Sequence, residues 1–495
     1  RARPLPRLFP FMTVSPAFLL LSAAFLATAP AFAAEAPAWP NVIVVLADDL
    51  GWTDLGAFGS DLHETPVLDR LAREGMKFTQ NYSACTVCSP TRAALMTGKY
   101  PARLRITDWI PGAMPDNPKL VVPDWTKFLP TSETSLATVF RAAGYATGTI
   151  GKWHLGGPAT YPEKHGFDEN IAGTDKAQPP SYHAPYNIPT LKPEGKEGEY
   201  LTDRLGDEAA RFIERHQARP FFLYLPHFAV HTPIQGRADL VAKYQARIRE
   251  GMRHRNAAYA AMTESLDTAV GRVVATLERL RLRERTIIVF TSDNGGRITQ
   301  GTTTNQPLRL GKASAYEGGV RVPLIINWPR VIQRGGVSDA PVITMDLFPT
   351  LVELAGLPAS AARTAVDGVS LAGHLRGGPV PRRATLFWHY PHHQHYQLGG
   401  AMPYAAIRAG DYKLIEFYND LKDIRLELYN LRADIGETRD LAATEPGRVA
   451  EMRAQLHVWQ REVGAQMPVT NPAYQPTKPE YTPPPAKAKK GAARG

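Results

Sequence analysis

The sequence predicts an α/β fold: a large, mostly parallel sheet flanked by helices, followed by a smaller C-terminal α+β domain with an antiparallel sheet. Three observations predict it. Short runs rich in β-branched and aromatic residues recur along the chain, and each empties into a polar cluster. Amphipathic stretches of helical length lie between those runs. After Pro379-Val380-Pro381 the pattern changes to that of a hairpin.

The first element is not part of the fold. Ala17 to Thr28 is an apolar run behind Arg1, Arg3 and Arg7, followed by Ala31-Phe32-Ala33, the small-x-small pattern of a signal-peptidase site. Residues 1–33 therefore read as a signal peptide region, with a mature chain from about Ala34 that is exported to the periplasm or beyond the cell. No later run approaches the roughly 18 unbroken apolar residues that a membrane span needs, so stable membrane insertion is not expected.

The larger α/β domain is expected over residues 34–380. Asn41 to Leu46 is a buried parallel strand that ends in Asp48-Asp49. Pro66 to Glu74 is a helix behind a Thr65 cap, and Ser135 to Ala143 is a second. Tyr145 to Ile150 runs into Gly151-Lys152-Trp153-His154, and Phe221 to Leu225 runs toward His227 and His231. A long amphipathic helix covers Ala257 to about Arg281, and Thr286 to Thr291 leads to Asp293-Asn294-Gly295. In such a sheet ligands bind beyond the carboxyl ends of the strands, where all four polar clusters sit. The smaller domain, residues 381–467, contains the pair Tyr404–Arg408 and Tyr412–Phe417 around a Gly410-Asp411 turn, a strand at Leu426–Leu431 and a helix at Arg448–Val463. Residues 468–495 are dominated by Pro and Lys and read as a disordered tail.

The formal charge of +10 does not mark a nucleic-acid binder. The three N-terminal arginines carry +3 and the tail a net +4, which leaves about +3 for the body. That balance suits a small anionic substrate at a local site and excludes a long phosphate-tracking stripe. The only cysteines, Cys85 and Cys88, cannot staple a fold of 495 residues.

The sharpest local signal is Cys88-Ser89-Pro90-Thr91-Arg92, with Ala93 to Thr97 continuing as a helix. Pro90 suits a first turn, which puts Cys88 at the positive end of the helix and Arg92 about one turn further along. A helix N-terminus is a ready anion site. Asp48, Asp49, Asp293 and Asn294 form a set of hard oxygen donors from two strand ends, which selects calcium or magnesium over zinc. Lys152 and His154 are two apart and would project to one side of an extended segment.

These residues resemble the type I sulfatases of the alkaline-phosphatase-like superfamily, whose Cys-x-Pro-x-Arg motif directs oxidation of the cysteine to formylglycine. The resemblance spans Asn41 to about Ala443 and rests on ordered segments: ADDLGWTDLG from Ala47, CSPTR, GKWHLG from Gly151, HTP from His231, TSDNGG from Thr291, GKASAYEGGVRVP from Gly311, then LYNL and DIGE. Thr91 departs from the usual Ser or Ala of the motif. The resemblance implies hydrolysis of a sulfate ester, from a sulfated carbohydrate or an aryl sulfate. It implies one calcium ion per chain, held by Asp48, Asp49, Asp293, Asn294 and the modified Cys88, and a formylglycine-generating maturation enzyme as partner. A hydrated formylglycine carries two hydroxyls: one, activated by calcium and Arg92, attacks sulfur, and loss of the proton from the other expels sulfate. His154 is the implied base for that loss, Lys152 binds the hydrate and sulfate, and His231 and Lys312 contact the sulfate, one of them protonating the leaving oxygen.

Other readings carry their own expectations. Cys85-Thr86-Val87-Cys88 could be a redox pair, though that motif belongs in a thioredoxin-like context. A phosphonate or phosphate diester hydrolase of the same superfamily could use the same machinery, and a non-catalytic binder of sulfated glycans would leave Cys88 unoxidised. His389, His392, His393 and His395 (HYPHHQH) could reach over the site, or form an exposed loop.

Overall fold

The computed structural model describes residues 39–362, 365–394 and 402–480. The expected signal peptide region, His395 and the last fifteen residues of the expected tail lie outside them. From Trp39 onward the described chain is a single compact unit. No helix among the described residues is long and apolar enough to cross a membrane.

Eight strands form the main sheet: β1 (Asn41–Ala47), β2 (Met76–Phe78), β3 (Ala146–Ile150), β4 (Glu169–Ile171), β5 (Phe221–Pro226), β6 (Thr286–Ser292), β7 (Leu324–Asn327) and β8 (Gly336–Ser338). Their order is β8-β2-β7-β6-β1-β5-β3-β4. All pairings are parallel except the two that β7 makes, with β6 and with β2. The sheet is thus mixed but mostly parallel, as the sequence predicts. Every residue of β1, β5 and β6 is buried, because helices cover both faces. Each such Val, Leu, Ile or Phe contributes about 1.5–3 kcal/mol on removal from water.

The flanking helices are α1 (Pro66–Glu74), α2 (Cys88–Thr97), α3 (Leu136–Ala142), α4 (Leu201–Arg215) and α5 (Ala257–Arg279). Ser135 caps α3, its hydroxyl accepting the Thr138 N–H at 3.0 Å, and Asn256 caps α5 through the Tyr259 N–H, also at 3.0 Å. Thr65 stands at the N-cap of α1 but does not cap it. Its hydroxyl accepts the Gly56 N–H and donates to Asp69, while Asp267 of α5 takes the Val67 and Leu68 N–H groups instead.

The second sheet is antiparallel, β9 (Thr385–Tyr390), β10 (Tyr404–Ala409), β11 (Tyr412–Asp420) and β12 (Asp423–Asn430), in that order. Helix α6 (Pro446–Glu462) packs on it. Trp388, Tyr404, Leu414 and Trp459 share one apolar cluster with Val87 and Ala94 of the α2 segment. Lys413 of β11 seals the contact. Its fully buried Nζ lies 3.0 Å from both Glu317 and Glu437, so the AYEGG and DIGE segments meet around one ammonium.

The stretch from Pro468 to Glu480 corrects the expectation of disorder. Val469–Thr470 pairs antiparallel with Leu120–Val121, and the Asn117 amide donates to the Gln475 and Lys478 carbonyls at 2.8 and 2.9 Å. Backbone pairing and one well-placed asparagine hold a segment whose composition alone suggests a free tail.

Candidate active site

β6, β1, β5 and β3 are neighbours in the sheet and all parallel, so their carboxyl ends share one edge. That edge collects Asp293-Asn294, Asp48-Asp49, His227 with His231, and Lys152 with His154. Gly151 permits the last of these turns. Its φ is +125°, and a Cβ there would sit 1.9 Å from the Pro226 carbonyl oxygen. The close approach lets the Lys152 N–H donate to that oxygen at 2.7 Å.

Helix α2 points its N-terminus at the same edge. It begins at Cys88, as the motif predicts, and its N-cap Val87 offers no side-chain acceptor. All ten of its residues are buried. The Ser89 hydroxyl donates to the His154 carbonyl at 2.9 Å and accepts the Ile110 N–H at 3.1 Å, which ties three segments together beside Cys88.

The charged side chains interlock. Arg92 donates to Asp293 Oδ2 through Nε (3.0 Å) and Nη2 (2.7 Å), and to the Lys152 carbonyl through Nη1 (3.1 Å). Lys152 Nζ donates to Asp48 Oδ2 at 2.7 Å, and Lys312 Nζ to Asp49 Oδ2 at 2.9 Å. The Asn294 amide donates to Asp49 Oδ1 at 2.8 Å, and His231 Nε2 lies 3.6 Å from Asp49 Oδ2. Ligand atoms of Asp48, Cys88 and Asp293 fall within 4.8 Å of one another, as do those of Asp48, Asp49 and His231. The folded chain thus brings together Cys88, Arg92, Lys152, His231, Lys312, Asp48, Asp49, Asp293 and Asn294.

These residues fit a hard divalent cation. Asp48 Oδ1 and Asn294 Oδ1 are buried with no hydrogen-bond partner among the described residues. Oxygen donors left over in a dry cluster of three carboxylates are what such an ion takes up. Burial pushes the Asp48 carboxyl up to about 8, against the pull of Lys152. Burial acts on Asp49 in the same sense but loses to the ammonium of Lys312 and to His231, so Asp49 stays below the usual carboxylate range.

His154 reaches the site by a different route from the one expected. Its φ is +57°, so the segment is not extended and the alternation argument for Lys152 and His154 does not apply. Its Nε2 meets the Ile110 carbonyl at 2.5 Å, while Nδ1 is buried without a hydrogen-bond partner among the described residues. Burial pushes the imidazole well below its ordinary value, and Lys152 and Arg92 push it further, so it is neutral. His231 is likewise lowered by burial, although Asp49 opposes this.

The two cysteines are free and buried. Burial raises both thiols, Cys85 to about 12, which is opposite to the lowered value of a redox-active pair. His389, His392 and His393 form no exposed loop: they bond the Gln466 carbonyl, the Thr107 hydroxyl and the Leu120 carbonyl inside the protein. Sequence reasoning missed Tyr259 and Ser292. The Tyr259 hydroxyl donates to Asp54 Oδ2 at 2.6 Å with its oxygen 3.1 Å from the Asp49 carbonyl, and the Ser292 hydroxyl accepts the Leu50 N–H at 3.0 Å, so both steady the loop after β1. Ser292 stands inside TSDNGG, where a signal existed. Tyr259, in the helical stretch, carried none.

The sulfatase family profile matches residues 40–357, and the profile for the C-terminal region of N-sulphoglucosamine sulphohydrolase matches residues 310–463. A sulfatase of Formosa agariphila is 35% identical over 85% of this chain and 88% of its own length. The N-acetylgalactosamine-6-sulfatase of Canis lupus familiaris is 37% identical over 70% of this chain and 68% of its own length. Among solved structures, Ps i-CgsB, also crystallised in complex with k-i-k-neocarrahexaose, superposes with a TM-score of 0.71 at 30% identity, covering 86% of this chain and 93% of that one. With the fold, the strand-end cluster and these matches in agreement, the chain belongs to the sulfatase family of the alkaline-phosphatase-like superfamily and is a hydrolase of sulfate esters.

Proposed function

We propose that this chain releases sulfate from a sulfated carbohydrate at a formylglycine formed from Cys88, beside one calcium ion held by Asp48, Asp49, Asp293 and Asn294. The observation that carries the reading is the meeting of Cys88 with Asp48 and Asp293 within 4.8 Å, at a helix N-terminus whose Arg92 grips Asp293. The aldehyde hydrate would supply the sulfur-attacking hydroxyl and a second one whose deprotonation frees sulfate, and calcium would supply Lewis acidity.

The chain's own residues do the rest. Arg92 and Lys152 hold positive charge at residue 88, and Lys312 and His231 flank Asp49 on the side where an anion would be neutralised. His154, neutral and with Nδ1 uncommitted, takes a proton from the group at residue 88. His231 gives a proton to the leaving alcohol, because a bound sulfate favours the imidazolium that burial alone disfavours. The glycan preference is supported by relatives named for N-acetylgalactosamine-6-sulfate and by the neocarrahexaose complex. Export behind residues 1–33, and oxidation of Cys88 by a maturation enzyme, complete the reading.

The test is turnover of sulfated mono- and oligosaccharides, an aryl sulfate and a phosphodiester by matured protein, with intact-mass analysis of the Cys88 peptide and Cys88→Ala as control. The proposal expects an aldehyde at residue 88, glycan desulfation, and loss of turnover in Cys88→Ala. An unmodified thiol in active protein, or a preference for the phosphodiester, would overturn it.

A further inference from the structure

A second group of ligand-type side chains lies outside the catalytic cluster. Asp54, His63 and His254 are all buried, and one ligand atom from each falls within 4.8 Å of the others. They come from three separate segments: the loop after β1, the approach to α1, and the approach to α5. The two imidazole rings are 4.6 Å apart between centroids. A borderline metal such as zinc favours this mixture of two imidazoles and a carboxylate, whereas the all-oxygen donors beside Cys88 do not suit it.

The geometry goes beyond composition. His254 Nδ1 lies 2.6 Å from Asp61 Oδ1, so a carboxylate orients the ring and turns Nε2 inward. That Nε2 is buried and has no aligned hydrogen-bond partner among the described residues, although Asp54 Oδ1 is only 3.2 Å away. His63 Nδ1 lies 3.7 Å from the same Oδ1 and 2.9 Å from the Asp54 carbonyl oxygen. Ligand atoms on a tetrahedral zinc, with bonds of about 2.0–2.1 Å, stand roughly 3.3–3.5 Å apart. The two distances to Oδ1 bracket that spacing. Binding through His63 Nδ1 would exchange its contact with the carbonyl for a bond to the metal.

We propose that Asp54, His63 and His254, backed by Asp61, form a zinc-type structural metal site separate from the calcium site. Asp54 Oδ1 also accepts the Thr303 hydroxyl at 2.6 Å, Oδ2 accepts the Gly51 N–H and the Tyr259 hydroxyl, each at 2.6 Å, and the Tyr259 oxygen lies 3.1 Å from the Asp49 carbonyl. A metal there braces the loop that carries Asp48 and Asp49 against α5.

The experiment uses the full chain with saturating calcium, so that the oxygen site is filled, and titrates zinc or cobalt(II) while following metal content and cobalt visible absorption. The expected result is one tightly held equivalent with tetrahedral cobalt bands, lost in His63→Ala and in His254→Ala. Asp61→Asn, at the rim of the cluster, should weaken binding about 10–100-fold. No uptake by the wild type, uptake that survives both histidine variants, or an unchanged Kd in Asp61→Asn would overturn the proposal.

Discussion

Arg92 and Asp293 are joined by two hydrogen bonds to a single carboxylate oxygen, from Nε at 3.0 Å and Nη2 at 2.7 Å, with both side chains fully buried. The fork leaves Nη1 for the Lys152 carbonyl and so fixes the spacing between α2 and the end of β3. A lysine carries the same charge but cannot make this fork. Arg92→Lys is expected to lower kcat on an aryl sulfate about 10²–10³-fold. The rate should be normalised to the aldehyde content of the Cys88 peptide, since Arg92 also stands in the segment that the proposed modification would require.

Chelation tests the metal reading. Dialysis against EDTA is expected to abolish turnover and lower Tm, because Asp48, Asp49 and Asp293 then crowd in a dry cluster with oxygen atoms left unpaired. Calcium should restore activity once zinc has been resupplied to the Asp54–His63–His254 site, and the two together should restore Tm. Zinc restoring full activity in its place would contradict the assignment of a hard-oxygen site.

Lys413 tests the attachment of the antiparallel sheet. Its ammonium is the common partner of Glu317 and Glu437, each at 3.0 Å, in a wholly buried setting. Lys413→Met leaves two buried carboxylates against each other and is expected to cost about 3–5 kcal/mol in denaturant unfolding. Glu437→Gln should be far milder, since burial already pushes that carboxyl up to about 7.

Asp267 provides a pH test away from the active site. Burial raises its carboxyl to about 7, although it accepts the Val67 and Leu68 N–H groups. The folded form therefore holds a proton that the unfolded chain has released above about 3.9. The stability this provides is complete below about pH 4 and is lost as pH rises toward 7. Asp267→Asn removes the titration. Tm of the wild type relative to the variant should fall between pH 4 and 7, and parallel curves would contradict the assignment.

Much of this was legible in the sequence. The strands that feed the site are continuous β-branched runs, and a run such as Asn41–Ala47 has no alternative but a position buried on both faces. The motifs gave the positions of Cys88, Arg92 and the four oxygen donors. Less legible were features set by tertiary contact. β7 lies antiparallel within the parallel sheet, and no local signal distinguishes the direction of Leu324–Asn327. His154 sits at positive φ, so spacing along the chain misjudged how it reaches the site. Thr65 looked like a cap, and Asp267, two hundred residues away, took its place. Residues 469–480 looked free because their partners, near Asn117, are distant in sequence.

Cys88 is 2% exposed and lies in a helix with no exposed residue, and its neighbour Val87 packs into a core completed by strands about three hundred residues downstream. Residues 81–98 on both sides of this thiol are all buried in the finished globule, so an enzyme acting on the folded chain would find none of them at the surface. Under the proposed maturation the oxidation precedes tertiary closure, while the segment is still an accessible strand of polypeptide. Under that proposal, chain synthesis and catalytic competence would be linked by timing, and a molecule that folded before oxidation would be locked into an inactive form.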